Sequence, residues 1–330
     1  MDINLSTSVI ILFITLAGFG FYLWLAKKLN IIDKPNERSS HTKPTVRGLG
    51  VMFSVFFLIG SLYFDFFNIY LVSGLLLASI IGFVDDRVTL SASFRFLAYL
   101  CSVILVSVAA IGFYDIHITL IAIGIVLILG VINMYNFMDG INGITLIYSL
   151  VFFATIYYLL KISDISQIDS LFLELTIIIL LGALFFNLRK RALAFLGDAG
   201  SIFLGLLISF IITSLIVETG SISYLIFLSV YAVDSVGTIV LRLIKKQNIF
   251  EAHRLHVYQK LANESNWGHI KVSILYGLIQ LSINVLFLTC YIGSTYFLVS
   301  IILLLVIVYT LLRVKVFKDF DLVSNKLGSK

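Results

Sequence analysis

The chain has 330 residues, 60% of them hydrophobic and only 12% charged, and its mean hydropathy is +1.08. Soluble globular domains carry about 25% charged residues, so this is a membrane protein. Two prolines and two cysteines exclude a collagen-like chain, a disulfide scaffold or a disordered tail, and the net charge of +5 accompanies no DNA- or RNA-binding module.

A bilayer core demands about 20 mostly apolar residues per helix. Eleven such runs follow one another: 5–26, 48–64, 66–84, 94–113, 118–135, 143–160, 171–188, 200–217, 222–244, 270–290 and 295–312. The first follows no basic segment and has no small-residue cleavage site, so a retained helix is expected rather than a signal peptide. The expected fold is all-α and polytopic, with residues 1–330 forming one integral-membrane domain. Cys101 and Cys290 fall in apolar runs and are expected to be packing residues.

Lys and Arg concentrate in cytoplasmic loops. With the N-terminus outside, 22 of the 23 basic residues fall on one face, leaving Lys161 alone on the other. The N-terminus is therefore expected outside and the C-terminus in the cytoplasm. The basic face suits anionic lipids and anionic substrates. The external loops hold Asp65, Asp115, Asp164, Asp169 and Glu218 without clustering, as solvated breaks would.

The cytoplasmic helix ends are different. Asp85 and Asp86 close the third run in Gly-Phe-Val-Asp-Asp-Arg, and Asp139 closes the fifth, among Asn133, Asn136, Asn142, Gly140 and Gly143. Carboxylates at helix C-termini oppose the macrodipole, so something should compensate them. Arg87 or Arg189 could do so, and a divalent cation could do so with oxygen ligands and substrate phosphates. Asp198 instead opens the eighth run between Gly197 and Gly200, where free N–H groups can hold a phosphate. Each asparagine alone reads as a helix cap; three within ten residues fit a ligand loop better.

Two cytoplasmic loops are long enough for binding chemistry. Residues 33–50 are basic and hydroxyl-rich and hold both prolines, which favours a fixed conformation. Residues 245–269 carry His253 and His256, three apart, a spacing that is not the His-Glu-x-x-His zinc arrangement; with Arg254 they read as donors to a diphosphate or sugar. Asp234 lies inside the ninth run, and intramembrane ionisable residues are functional candidates; a hydrogen bond to a neighbouring Ser or Thr is the alternative.

Gly-Phe-x-Asp-Asp, Asn-x-x-Asn-x-x-Asp-Gly-x-x-Gly and Phe-x-Gly-Asp-x-Gly-Ser, in that order and each at a cytoplasmic helix end, resemble the polyprenyl-phosphate N-acetylhexosamine-1-phosphate transferase superfamily. The resemblance implies a Mg²⁺-dependent enzyme, with Mn²⁺ as the substitute ion. It would transfer an N-acetylhexosamine-1-phosphate from a UDP-sugar to undecaprenyl phosphate and release UMP, in the bacterial plasma membrane with a cytoplasmic active site. It makes Asp85 and Asp86 the catalytic pair, with Asp139 beside them facing the nucleotide together with Asn142. Asn136 and Asp198 become Mg²⁺ ligands, Phe195 a stacking partner for uracil, and His253, Arg254 and His256 contacts for the diphosphate or sugar. Membrane lipid and a second copy of the chain, as a homodimer, complete the implied partners.

The His-Arg-Leu-His-Val-Tyr-Gln run is similar to the branch that initiates O-antigen or capsule units rather than to the muramyl-pentapeptide branch with its His-His-His-Glu signature. The first loop departs from that branch, with Val46 and Leu49 in place of proline and glycine. A lipid phosphate has a second pKa near 6 and is largely an oxyanion at neutral pH. Direct in-line attack on the sugar-linked phosphorus is thus chemically sufficient, and a route through an aspartyl-phosphate is the other possibility. An ion-coupled secondary transporter is the rival from a different class, with Asp234 as its coupling site. Its polar groups should sit near the midplane in paired broken helices, whereas here they sit at the helix ends. A CDP-alcohol phosphotransferase would require an Ala-Arg after Asp139-Gly140 and further spaced aspartates.

Overall fold

In hydrocarbon every backbone N–H and C=O must be satisfied within the segment, and long apolar runs accordingly become helices. The computed structural model of the chain describes residues 3–35, 40–112, 114–249, 251, 253–265 and 267–317. In chain order the elements are α1 (Leu5–Lys28), β1 (Ile32–Asp33), β2 (Thr45–Val46), α2 (Val51–Tyr63), α3 (Ile69–Asp85), α4 (Ala92–Ile111) and α5 (Ile118–Met138). They continue with α6 (Ile144–Ile162), α7 (Ser170–Asn187), α8 (Gly197–Thr219), α9 (Ser229–Ile244), the short α10 (Val257–Gln259), α11 (His269–Cys290) and α12 (Thr295–Leu311). Among the described residues nine helical segments are long and apolar enough to cross a membrane. Two apolar helices are shorter, α2 with 13 residues and α3 with 17. The protein is an all-α polytopic membrane protein.

The expected runs coincide with these helices, with two informative differences. The run at 48–64 yields a helix only from Val51, because residues 48–50 form a turn: Gly48 has φ +82° and Val51 N–H donates to its carbonyl. The run at 222–244 is broken, a 3-10 segment over Ile222–Leu228 preceding α9. Gln280 of α11, fully buried, satisfies that break: its Nε2 donates to the Ile226 carbonyl at 2.9 Å and its Oε1 accepts from Val230 N–H at 3.2 Å. Hydropathy alone does not register such a break, because its cause lies on another helix.

The innermost helix is α8, which packs against α3, α4 and α5, while α6 packs between α7 and α11 and α9 against α12. Small residues permit the closest approaches. A Cβ on Gly50 would overlap the Gly200 backbone, and one on Gly82 would stand 2.7 Å from the Ala199 nitrogen. The first turns of α2 and α8 and the last turn of α3 therefore meet at one end of the bundle.

The strands β1 and β2 pair antiparallel, and the residues after them are stitched to the segment before α8. Phe195 N–H donates to the Val46 carbonyl at 2.8 Å, and Leu49 N–H to the Phe195 carbonyl at 3.0 Å. The described basic residues flank the helix ends on this side, Lys161 lying at the far end of α6; Arg38, Lys318, Lys326 and Lys330 of the sequence count, and Phe113, lie outside the described residues. Cys101 and Cys290 are exposed, so they face outward instead of packing in the protein core as expected. At the other end Asp169 caps α7 through Leu171 N–H, and Glu218 accepts from the Ser166 and Gln167 backbone.

Candidate active site

Asp86 follows the last residue of α3, and its carboxylate reaches the opening turn of α8, accepting the Asp198 N–H at 3.0 Å. Gly197 makes this possible: its φ is +71°, and a Cβ there would overlap the Asp86 carboxylate. The N-terminus of α8, expected to cradle a phosphate, is thus capped by a carboxylate of the protein itself.

Arg47 supplies the missing compensation. One guanidinium nitrogen lies 2.7 Å from Asp86 Oδ1 and 3.1 Å from Asp198 Oδ1. The Arg47 backbone is held by Tyr22, whose hydroxyl donates to its carbonyl at 2.7 Å. One guanidinium between two carboxylates leaves an excess of negative charge. Burial pushes the Asp86 carboxyl up to about 8, the neighbouring Asp198 adding to the rise and Arg47 opposing it.

Asp85 turns the other way. Its carboxylate accepts from Arg95 of α4 at 2.8 Å and from Leu90 N–H at 2.8 Å. The compensating cations are therefore Arg47 and Arg95, and not Arg87 or Arg189. The two adjacent aspartates share no partner, and neither lines a cavity; each stands behind the arginine that does.

Two of the cavities that open here border Asp198. One, of about 250 Å³, is walled by Arg47, Asn136, Asp139, Asn142, Phe195 and Asp198, together with Asp33, His41, Gln259 and His269. The other, of about 520 Å³, is walled by Arg95, Phe96 and Tyr99 of α4, Leu129, Ile132 and Asn133 of α5, and by His253 and His256. Asn136 and Asp198 border both.

The three asparagines do not form one ligand loop. Asn133 bonds back to the Leu129 carbonyl of its own helix at 2.7 Å. Asn136 donates to Ser201 Oγ at 3.3 Å, leaving its amide oxygen for a ligand. Asn142 is a cross-brace, donating to the Arg189 carbonyl at 2.7 Å while its own carbonyl accepts from Ser273 at 2.8 Å. Asp139 accepts from Thr145 Oγ1 at 2.6 Å, and burial pushes its carboxyl up to about 7 against that hydrogen bond.

Phe195 borders the smaller cavity with its ring 4.8 Å from that of His41. In the long loop the rings of His253 and His256 lie 4.9 Å apart and face the larger cavity, while Arg254 lines neither. Burial lowers His253 to about 4, His256 and Arg242 acting in the same direction, so its imidazole is neutral at pH 7. Sequence reasoning missed Arg47, Arg95, Gln259 and His269. Arg47 is one of six basic residues in its loop, and nothing local sets it apart; only the fold brings it to carboxylates 39 and 151 positions away.

Among the described residues no three His, Cys, Asp or Glu side chains converge as a metal cage. The donor set that does converge, a carboxylate and an amide oxygen backed by a second carboxylate, suits a hard cation that completes its shell with substrate phosphates.

The model of glycosyl transferase family 4 matches residues 68–216, a span that includes Asp85, Asp86, Asp139 and Asp198 but not Arg47, His253 or His256. The chain is 27% identical over 261 residues to a probable undecaprenyl-phosphate N-acetylglucosaminyl 1-phosphate transferase of Bacillus subtilis, covering 72% of this chain and 71% of that protein. It is 26% identical to undecaprenyl-phosphate alpha-N-acetylglucosaminyl 1-phosphate transferases of Escherichia coli K12, covering 78% and 76% of the two chains, and of Thermotoga maritima, covering 81% and 87%. With the three motifs gathered around one pair of cavities, these likenesses support the polyprenyl-phosphate N-acetylhexosamine-1-phosphate transferase family.

Proposed function

We propose that the protein transfers an N-acetylhexosamine-1-phosphate, with GlcNAc as the first sugar to test, from its UDP donor to undecaprenyl phosphate at the cytoplasmic face of a bacterial plasma membrane. The observation that carries this reading is the meeting of two unlike cavities at Asn136 and Asp198. The smaller, polar and bordered by an aromatic ring, suits a nucleotide diphosphate. The larger, with apolar walls from α4 and α5 and cationic or imidazole groups at its polar end, suits a phosphate carried on a lipid. The transferred N-acetylglucosaminyl 1-phosphate group and the lipid are those in the names of the relatives, and the UDP donor is what the resemblance of the motifs implies.

In this reading a lipid phosphate oxygen attacks the sugar-linked phosphorus. The bond from that phosphorus to the bridging oxygen breaks, and UMP departs with that oxygen. Direct attack is favoured over an aspartyl-phosphate because Asp85 and Asp86 are each engaged by an arginine and line neither cavity. Arg47 and Arg95 face the phosphates, and the two aspartates hold those arginines in place. Phe195 covers a face of the uracil, and Asp139 and Asn142 border the same pocket. Asp198 and Asn136 would hold Mg²⁺, which supplies charge neutralisation at the phosphate oxygens. The His-Arg-Leu-His-Val-Tyr-Gln run supports a role in initiating a cell-surface polysaccharide of the O-antigen or capsule kind.

The test is UMP release by the purified protein with undecaprenyl phosphate and a panel of UDP-N-acetylhexosamines, with Mg²⁺ or EDTA. Release that needs lipid phosphate, metal and Asp198 bears out the reading, and the preferred donor names the sugar. No release from any donor by folded protein would overturn it.

A further inference from the structure

The intramembrane Asp234 has no place in the chemistry above, yet it is 3% exposed and fully engaged. Its Oδ1 accepts the Val257 N–H at 2.8 Å, and its Oδ2 accepts the Tyr258 N–H at 3.1 Å and the Tyr276 hydroxyl at 2.7 Å. These two amides open the short helical segment that begins at α10. The first N–H groups of a helix have no partner within it, and a carboxylate there is favoured by the dipole. Asp234 is therefore the N-terminal cap of α10, supplied from another helix.

Eight residues on along α9, Arg242 does the converse. It is 4% exposed, and its Nη1 donates to the carbonyls of Ile249 at 3.2 Å and Glu251 at 2.9 Å, its Nη2 donating to that of Asn248. The anion thus collects amides from the returning limb of the loop, and the cation collects carbonyls from the departing limb. Between the two limbs stand His253 and His256, facing the cavity that Asp198 borders. His256 Nδ1 lies 3.7 Å from Asp234 Oδ1.

We propose that Asp234 and Arg242 are positioning residues for the transfer reaction, a clamp of opposite charges on α9 that fixes the histidine turn over the larger cavity without touching substrate. The inference rests on the transferase reading. It also gives the intramembrane carboxylate a purpose other than ion coupling, since every oxygen of Asp234 is already committed to the loop.

The test uses the full chain in nanodiscs, with whichever UDP-sugar supports UMP release by the wild type. Asp234→Asn keeps the size of the side chain but turns an amide NH₂ toward N–H donors. It is expected to lower kcat about 10- to 100-fold, the cost of misplacing a reacting group by about 1 Å, with KM for the UDP-sugar within about twofold. His256→Ala should cost a comparable factor, and the double variant should be no slower than the slower single one, as for residues that act as a unit. Amide hydrogen exchange over 248–259 should accelerate in Asp234→Asn and in Arg242→Gln while α5 and α8 stay protected. Unchanged kcat, losses that multiply in the double variant, or unchanged exchange would each overturn the clamp. A wild type silent with every donor would overturn the transferase reading and with it the catalytic meaning of the clamp; an active wild type matched by Asp234→Asn would overturn the clamp alone.

Discussion

The mouth of α8 and the helix α9 each combine carboxylate and arginine side chains, but they are finished differently. At α8 a single guanidinium serves Asp86 and Asp198, so that both carboxyls can be ionised only at the cost of an excess of negative charge at the edge of a cavity. At α9 Asp234 and Arg242 are each held by several hydrogen bonds, chiefly to backbone groups of one loop. A buried charge is tolerated when it is fully hydrogen-bonded, and such a charge holds structure. An incompletely neutralised one is available to a cation, as expected where carboxyl pKa values are pushed far from ordinary.

The sharpest way to break this contrast is Asp198→Ala, which removes the one carboxylate that borders both cavities. UMP release should fall at least about 1,000-fold, on the scale of losing a principal electrostatic group, with the fold retained by circular dichroism and melting. Activity within tenfold of wild type would remove Asp198 from the chemistry. Next comes Arg47. Arg47→Met leaves two facing carboxylates without their cation, and we expect roughly 100-fold slower turnover together with a lower melting temperature, because uncompensated buried charge is costly. Arg47→Lys should recover part of both, and equal loss in the two variants would mean that the reach and shape of the guanidinium matter more than the charge.

A smaller effect should appear in stability against pH. The Asp86 and Asp139 carboxyls have folded pKa values raised to about 8 and about 7, well above the ordinary carboxylate value near 4. Between these limits the folded protein holds protons that the unfolded chain has lost, so stability falls as pH rises through this window and levels off above about 8. Melting of the metal-free protein in detergent should show that decline, and Mg²⁺ should flatten it by stabilising the ionised carboxylates. A melting temperature that rises with pH over the same range would contradict the charge excess at α8. Smallest of all is Asn133→Ala: its side chain bonds only to its own helix, so turnover should change less than about twofold, and a large loss would return Asn133 to the ligand set.

Much of this was legible in the chain. Asp85, Asp86 and Asp139 stood out because carboxylates at helix C-termini oppose the macrodipole, and Asp198 because it opens a helix between two glycines, where free N–H groups can hold a phosphate. The structure does bring Asn136, Asp139, Asn142, Phe195 and Asp198 to one pocket. Asp85 and Asp86 read as a pair, yet consecutive residues at the end of a helix point apart, and one meets Arg95 while the other meets Arg47 and the first α8 amides. Asn142 read as a ligand and is also a brace between α6, α7 and α11, which no local pattern encodes.

The sequence by itself determined the helices and their order, since hydrocarbon imposes an apolar run of fixed minimum length on each span and the backbone must then satisfy itself. It also determined which residues carry oxygen and imidazole at the polar ends. Only the tertiary structure decided which charges meet. Arg47, Asp86 and Asp198 come from three separated segments, joined because glycines at 50, 82, 197 and 200 let backbones approach more closely than any side chain allows. Likewise only packing turned Asp234 from an isolated intramembrane acid into the cap of a helix that begins 23 residues later, because an unpaired amide inside the protein must find an acceptor wherever the fold brings one.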